Sequence, residues 1–393
     1  MEVMMDCDFL VVGGGPAGTT FASLVAKRAR TIVLEEHPGI GEPVQCTGLV
    51  TPRVVELAGA QRTILNRLNG ATFHFPGGED VEVYARETKA VVVDRAEFDR
   101  ICADRAVRNG AEIHLGERYV DGSIHSSGAL IKAKHGSESV EHSARLVIGA
   151  DGYKSNLAKL AGLERAKDVV RGIQLDLEHE EERQDMVEVY IGNQVAPGFF
   201  AWKIPCGEMT RIGVCASREH EAPIAYLSRL LKEQGLEDCK HLTTISGLIP
   251  IGPPPRTYAD RVMLIGDAAG QAKPLSGGGL YTGMMAAKHA SETALAAWEA
   301  KDFSASSLSI YQERWKADIG KELDRGYMIR KAYVRLTDKK LEEVGKMLNR
   351  SEVREVLSTG DIDFPSVVAP QVLKTAPSLL KLAPQFLRSV FSR

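Results

Sequence analysis

The chain has no paired cysteines: Cys7, Cys46, Cys102, Cys206, Cys215 and Cys239 stand singly, with no C-x-x-C among them. That spacing excludes an obvious zinc or iron–sulfur motif and suits a reducing, cytoplasmic setting. The ten histidines form no H-x-x-x-H or similar set, so no metal ligands are expected among them. No apolar run approaches the roughly 20 residues of a membrane-spanning helix, which leaves only peripheral membrane contact. An excess of basic charge is also lacking; the net charge of −3 argues against a nucleic-acid partner. Met1 to Asp6 carries no basic segment leading into an apolar one, so no secretory signal is expected. Apolar residues are not scarce. At 44% of 393 residues they exclude bulk disorder and suffice for two or three packed units.

The first fifty residues are the most informative. Asp8 to Val12 is a short apolar run that enters Gly13-Gly-Gly15-Pro-Ala-Gly18, and Thr19 to Lys27 follows with helical spacing. Thr31 to Leu34 is a second apolar run ending at Glu35. A G-x-G-x-x-G turn alone is weak evidence. Set between a strand and a helix, with an acidic residue after the next strand, it predicts a dinucleotide site. The glycines let the backbone approach a pyrophosphate at a helix N-terminus, and Glu35 would accept hydrogen bonds from the adenosine ribose. Glu36 competes for that role but lies one residue beyond the strand end.

Farther along, Ala71–Phe75 and Val81–Tyr84 alternate as antiparallel strands do, and Asp94 with Glu97 forms a capping box opening a helix. Leu146 to Ala150 is another buried strand, ending at Asp151-Gly152. Four alternating runs between residues 166 and 245 predict a second, antiparallel sheet. The run Arg261 to Ile265 then leads into Gly266-Asp267, where a carboxylate could meet a ribityl chain, and Pro274 to Leu280 offers bare backbone at a helix start. From Met284 to about Leu357 the pattern is helical. Among the aromatics, Tyr190, Phe199, Phe200 and Trp202 suggest a cavity wall.

Together these segments resemble the FAD-dependent geranylgeranyl reductase family, within the wider hydroxylase-like flavoproteins. Ala150 to Ser155 is similar to that group's second Asp-Gly motif. Gly41 to Gly48 resembles the family's Pro-Val-x-Cys segment beside the isoalloxazine, Val92 to Asp99 the stretch whose arginine approaches FAD, and Phe200 to Pro205 its prenyl-cavity motif, with Phe where Tyr is usual. The resemblance covers roughly residues 6 to 357. It implies FAD contacts at Gly13, Gly15, Ala17, Gly18, Glu35, Cys46, Thr47, Gly48, Arg95, Val120, Asp267, Gly279 and Leu280, and a substrate cavity at Phe200, Trp202 and Pro205. The implied fold is α/β: a Rossmann-type FAD-binding domain (1–70, 90–165, 246–300), an antiparallel-sheet substrate domain (71–89, 166–245), a helical region (301–363) and a basic arm (364–393).

The implied reaction saturates an isolated alkene of a geranylgeranyl chain, on an archaeal-type ether phospholipid. One carbon receives a proton, with Cys46 the candidate donor, and the more substituted carbon receives a hydride. The external electron donor stays open between ferredoxin, a deazaflavin and NADPH. Two rival readings share much of the pattern: an FAD-dependent monooxygenase or halogenase, and a non-catalytic prenyl-lipid binding flavoprotein. The arm repeats a seven-residue unit, Ala369–Thr375, Ala376–Leu382 and Ala383–Ser389, each with proline second. Proline inside a helix costs about 3 kcal/mol, so short helical turns beginning at each proline are expected. The arm either packs on the protein's own helices or lies on an anionic membrane surface through Lys374, Lys381, Arg388 and Arg393.

Overall fold

The computed structural model describes residues 5–382. Its first layer is a sheet in which Val262–Leu264, Glu138–Gly149, Cys7–Val12, Thr31–Glu35 and Glu112–Leu115 lie side by side in parallel. The central strands Val262–Leu264, Cys7–Val12, Thr31–Glu35 and the second half of Glu138–Gly149 are buried on both faces, which is why their sequences read as continuous apolar runs. Phe9, Val11, Val33, Ile148 and Met263 pack on one face against the helices Pro16–Val25, Arg95–Arg108 and Leu280–Ala300. The last of these presents Ala286, Ala287, Ala290 and Ala294, whose small side chains let the helix sit close to the sheet. Asp94 caps Arg95–Arg108 by accepting from the Glu97 N–H at 3.0 Å.

Glu138–Gly149 does double duty. Its first half pairs antiparallel with Ala129–His135, which in turn pairs with Glu117–Ile124, and its second half lies inside the parallel sheet. Sequence pattern alone singled out the apolar second half.

The second layer is a seven-stranded sheet in the order His241–Ile251, Asp168–Glu178, Met209–Ser217, Phe200–Cys206, Met186–Ile191, Gly70–Phe75 and Glu79–Tyr84. It is antiparallel apart from one junction, where Met186–Ile191 runs parallel to Gly70–Phe75. The 70–84 hairpin reaches the sheet from a distant stretch of chain, so no tight turn constrains its direction. Leu49–Val50, Ile64–Leu68 and Ala90–Val93 form a small sheet between the layers. One face of the large sheet packs on the amphipathic helix Pro223–Glu233 through Leu175, Ile212, Leu227 and Leu230. The other face looks into the interior.

Helices Ala305–Trp315, Lys321–Tyr333, Asp338–Leu348 and Ser351–Ser358 follow. In the arm, Ala369–Thr375 has Pro370 in its first turn, and Leu379–Leu382 follows Pro377. Val372 and Ala376 are buried with Val353, so this part of the arm packs on the protein itself. The third repeat lies outside the described residues. No helix among the described residues is long and apolar enough to cross a membrane.

Candidate active site

A single cavity of about 1500 Å³ lies between the two sheets. At one end it is lined by Gly13, Gly15, Ala17, Gly18 and Glu35. Gly13 has φ +110°, and a Cβ there would fall 2.2 Å from the Ala150 carbonyl oxygen, so the turn can be made only by glycine. A Cβ on Gly15, by contrast, would meet nothing within 4 Å. It would instead occupy the space in front of the helix N-terminus where a pyrophosphate would rest. Glu35 is set at its strand end by two neighbours: Oε2 accepts from the Gly14 N–H at 2.8 Å, and Oε1 from the His37 N–H at 2.9 Å.

Beside Ala17, which a Cβ on Gly266 would approach to 3.1 Å, the turn Gly266–Ala269 brings Asp267 into the same space, 3.1 Å from where a Cβ of Gly279 would stand. The Asp267 carboxylate makes no hydrogen bond among the described residues; it is open to the cavity, and the protein around it pushes its pKa up to about 6, with Arg95 opposing the rise. A free carboxylate there fits a polyhydroxyl chain. Gly279 and Leu280 open the 21-residue helix Leu280–Ala300, whose free amides face the cavity. Asp151 also borders this space; its Oδ1 is buried with no hydrogen-bond partner among the described residues, and burial raises its pKa.

Arg95 is held by Asp99, with Nη2–Oδ1 at 2.9 Å, and it also interacts with Cys46. Cys46 and Thr47 line the cavity, and the Cys46 sulfur accepts from the Gly48 N–H at 3.5 Å. Gly48 itself is buried at φ +75° against the Val93 carbonyl, so it shapes the loop without forming the wall. Val120 is likewise absent from the wall. Its side chain is exposed, and the cavity is bordered by Glu117, Arg118 and Tyr119 just before it.

Phe200 and Trp202 line the cavity together with Phe199. Phe199 and Phe200 stack at 4.6 Å, Phe200 meets Trp202 edge-on at 6.0 Å, and Phe199 closes on Gly277 of the glycine-rich loop. Pro205 is buried off the cavity, its carbonyl accepting from Asn66 at 2.8 Å. Tyr190 corrects the expectation for the aromatic set. Side chains alternate along a strand, so Val189 and Ile191 face the cavity while Tyr190 points to the opposite face, stacked on His74 at 4.7 Å.

Two polar clusters escaped the sequence reading. Trp202 donates to Gln174 at 3.1 Å, Gln174 donates to Asp176 at 2.9 Å, and Asp176 faces Arg211 at 3.5 Å. Arg211 then donates to the Thr47 carbonyl at 2.6 Å, so the aromatic wall and the Cys46 loop share one buried chain of contacts. Burial raises the pKa of Asp176, with Arg211 opposing it. The signal was present: Gln174 and Asp176 interrupt the apolar run Ile173 to Leu177. The second cluster is a buried ion pair, Lys273–Asp363 at 2.8 Å, with Thr51 also donating to Asp363 at 2.5 Å. It fastens the segment before the arm to the glycine-rich loop. The sequence also shows no histidine spacing suited to a metal, yet His114, Glu117 and His142 meet in space.

Beyond the aromatics the cavity continues along an apolar wall. Phe73, Val81, Val189 and Ile191 come from the large sheet, and Leu341, Val344, Leu348, Val372, Leu373 and Leu379 from the C-terminal helices.

Comparison with known proteins gives concordant results. Residues 6–236 match the FAD binding domain family. The chain is 32% identical over 368 residues to a digeranylgeranylglycerophospholipid reductase of Methanothrix thermoacetophila, covering 90% of this chain and 94% of that one. With digeranylgeranylglycerophospholipid reductase 2 of Methanothermobacter thermautotrophicus it shares 31% identity, over 93% and 98% of the two chains. A geranylgeranyl bacteriochlorophyll reductase-like protein from Thermoplasma acidophilum superposes with a TM-score of 0.85 at 24% identity, covering 95% of this chain and 98% of its own. The flavin-dependent halogenase CmlS superposes at 0.67 with 16% identity, covering 96% and 78%. These superpositions establish the α/β hydroxylase-like flavoprotein fold, and the sequence matches go further: the chain belongs to the FAD-dependent geranylgeranyl reductase family and is an FAD-dependent oxidoreductase.

Proposed function

We propose that this protein hydrogenates the isolated double bonds of geranylgeranyl chains carried on ether-type glycerophospholipids. The supporting observation is the form of the cavity: a dinucleotide turn at one end, an aromatic cluster in the middle and an apolar wall reaching the C-terminal helices. A prenyl chain offers no charge and no hydrogen-bonding group, so only apolar surface can hold it, at about 25 cal/mol per Å² buried. The names of the similar proteins point to the same substrate class.

FAD would be held with its pyrophosphate on Gly13–Gly18, its adenosine ribose on Glu35, its ribityl chain on Asp267 and its ring beside Cys46, Thr47, Arg95, Gly279 and Leu280. When bound and reduced, it supplies the hydride. The protein's own groups do the rest. Phe199, Phe200 and Trp202 exclude water and present ring faces to the positive charge that develops on the more substituted carbon. Cys46, on a loop tied down by Arg211, delivers a proton to the other carbon. Electrons come from an external donor.

The test is anaerobic incubation of dithionite-reduced protein with digeranylgeranyl glycerophospholipid, followed by mass spectrometry. Stepwise addition of two hydrogens per double bond is expected. Intact lipid after prolonged incubation with reduced, flavin-loaded protein would refute the proposal, and lipid-dependent oxygen consumption would mark an oxygenase.

A further inference from the structure

The strand Glu112–Leu115 forms the edge of the parallel sheet, and Gly116 turns the chain into Glu117–Ile124. That turn places His114 and Glu117 beside His142 of the long strand Glu138–Gly149. Glu117 bridges the two imidazoles: its Oε1 lies 3.2 Å from His114 Nδ1 and its Oε2 lies 2.6 Å from His142 Nε2. The ring centroids are 5.4 Å apart and tilted by 59°, so the rings converge on the carboxylate and do not stack. One donor atom from each residue falls within 4.8 Å of the other two.

From this geometry we propose a divalent transition-metal site, formed by His114, Glu117 and His142 and suited to zinc. Two imidazole nitrogens and one carboxylate oxygen form a donor set that zinc accepts, and three protein ligands leave a fourth position for water. Zinc–ligand bonds of about 2.0–2.2 Å place tetrahedral donors roughly 3.3 Å apart, so the present spacing closes on an ion with side-chain adjustment alone. The surroundings agree with that role. His142 is buried and Glu117 nearly so, while His114 is 30% exposed and leaves a path of entry. The far nitrogen of His114, Nε2, faces Glu112 Oε2 at 3.7 Å. A carboxylate in that position orients a metal-bound imidazole and raises its basicity.

The site sits at the adenosine end of the cavity. Glu117 borders that cavity, and the Gly116 N–H donates to the His37 carbonyl at 3.0 Å, next to Glu35. An ion here cross-links the strands Glu112–Leu115, Glu117–Ile124 and Glu138–Gly149, which makes its role structural. This inference does not depend on the prenyl substrate.

The test uses flavin-loaded protein stripped with EDTA and titrated with zinc against a chromophoric chelator. One equivalent is expected to bind, with at least a 100-fold loss of affinity in His114→Ala and in His142→Ala and no change in His125→Ala. Retention of yellow FAD would confirm that the variants are folded. X-ray absorption of the zinc-loaded wild type should show a nitrogen/oxygen shell with imidazole scattering. Failure of the wild type to take up a stoichiometric ion would overturn the proposal, as would a sulfur shell or undiminished uptake by His114→Ala and His142→Ala.

Discussion

Gly15 and Asp267 both border the FAD cavity, and each is open toward it for a different reason. Gly15→Leu would place its Cβ where no protein atom lies within 4 Å and extend into the space in front of the helix N-terminus. FAD affinity should fall about 100-fold, or roughly 3 kcal/mol, with the fold intact; flavin fluorescence after dialysis measures it. Asp267 has its pKa raised to about 6 by enclosure. A carboxyl raised in the folded state contributes stability that is complete below its ordinary pKa and is lost as pH rises through the folded value. The flavin-free protein should therefore lose stability between about pH 4 and 6, by on the order of 1 kcal/mol once water in the cavity is allowed for. Asp267→Asn should flatten that profile in thermal unfolding. Cys46→Ala should retain FAD, because the pyrophosphate and ribityl partners lie elsewhere. If Cys46 is the proton donor, turnover with saturating reductant should fall about 100-fold or more. Unchanged turnover would assign the thiol to packing.

Among the elements, the arm takes the packing role in its described repeats, and a membrane role is left to the basic residues that follow. Its first two repeats are part of the protein: Val372 of the first is buried in a small core, and Leu373 of the first and Leu379 of the second line the cavity. Leu373 is thus unavailable to a lipid surface, whereas the neighbouring Lys374 is exposed. Truncation after Phe364 would remove cavity wall, so turnover should fall on short and long prenyl compounds alike. Truncation after Leu382 leaves that wall in place and removes Arg388 and Arg393. At about 1 kcal/mol per basic residue near an anionic surface, the shorter truncation should weaken sedimentation with anionic liposomes by about tenfold or more at low salt. It should leave reduction of a soluble prenyl alcohol unchanged. Equal sedimentation of both proteins would remove the membrane role from this segment.

For the whole molecule, the two sheets and the C-terminal helices form one interior in which cofactor site and apolar wall are continuous. Helix Asp338–Leu348 closes the far side over the Gly70–Tyr84 hairpin, so near that a Cβ added to Gly345 would fall 2.7 Å from the Phe75 ring. Val344→Trp should narrow this part of the cavity while leaving FAD binding and thermal stability near wild type. Turnover of geranylgeranyl lipid should fall on the order of tenfold, because a chain displaced by about an ångström is held out of reacting position. A ten-carbon prenyl alcohol should be reduced at the wild-type rate. Equal losses on both substrates would place the long chain elsewhere.

The sequence by itself determined the βαβ unit, the dinucleotide turn, Glu35, Gly266-Asp267 and the family, because each depends on local spacing: a positive-φ glycine, a helix start or a strand end. It also set the helical turns at Pro370 and after Pro377 in the arm's first two repeats. Tertiary structure decided what depends on contacts between distant residues. Strand alternation turned Tyr190 away from the cavity and Trp202 into it. The long connection of the 70–84 hairpin allowed a parallel junction that tight turns forbid. Arg211 reached Thr47 across 164 positions, Lys273 reached Asp363 across 90, and His142 reached Glu117 across 25. A buried charge must find its partner wherever the fold brings one, and no local pattern records which partner that will be.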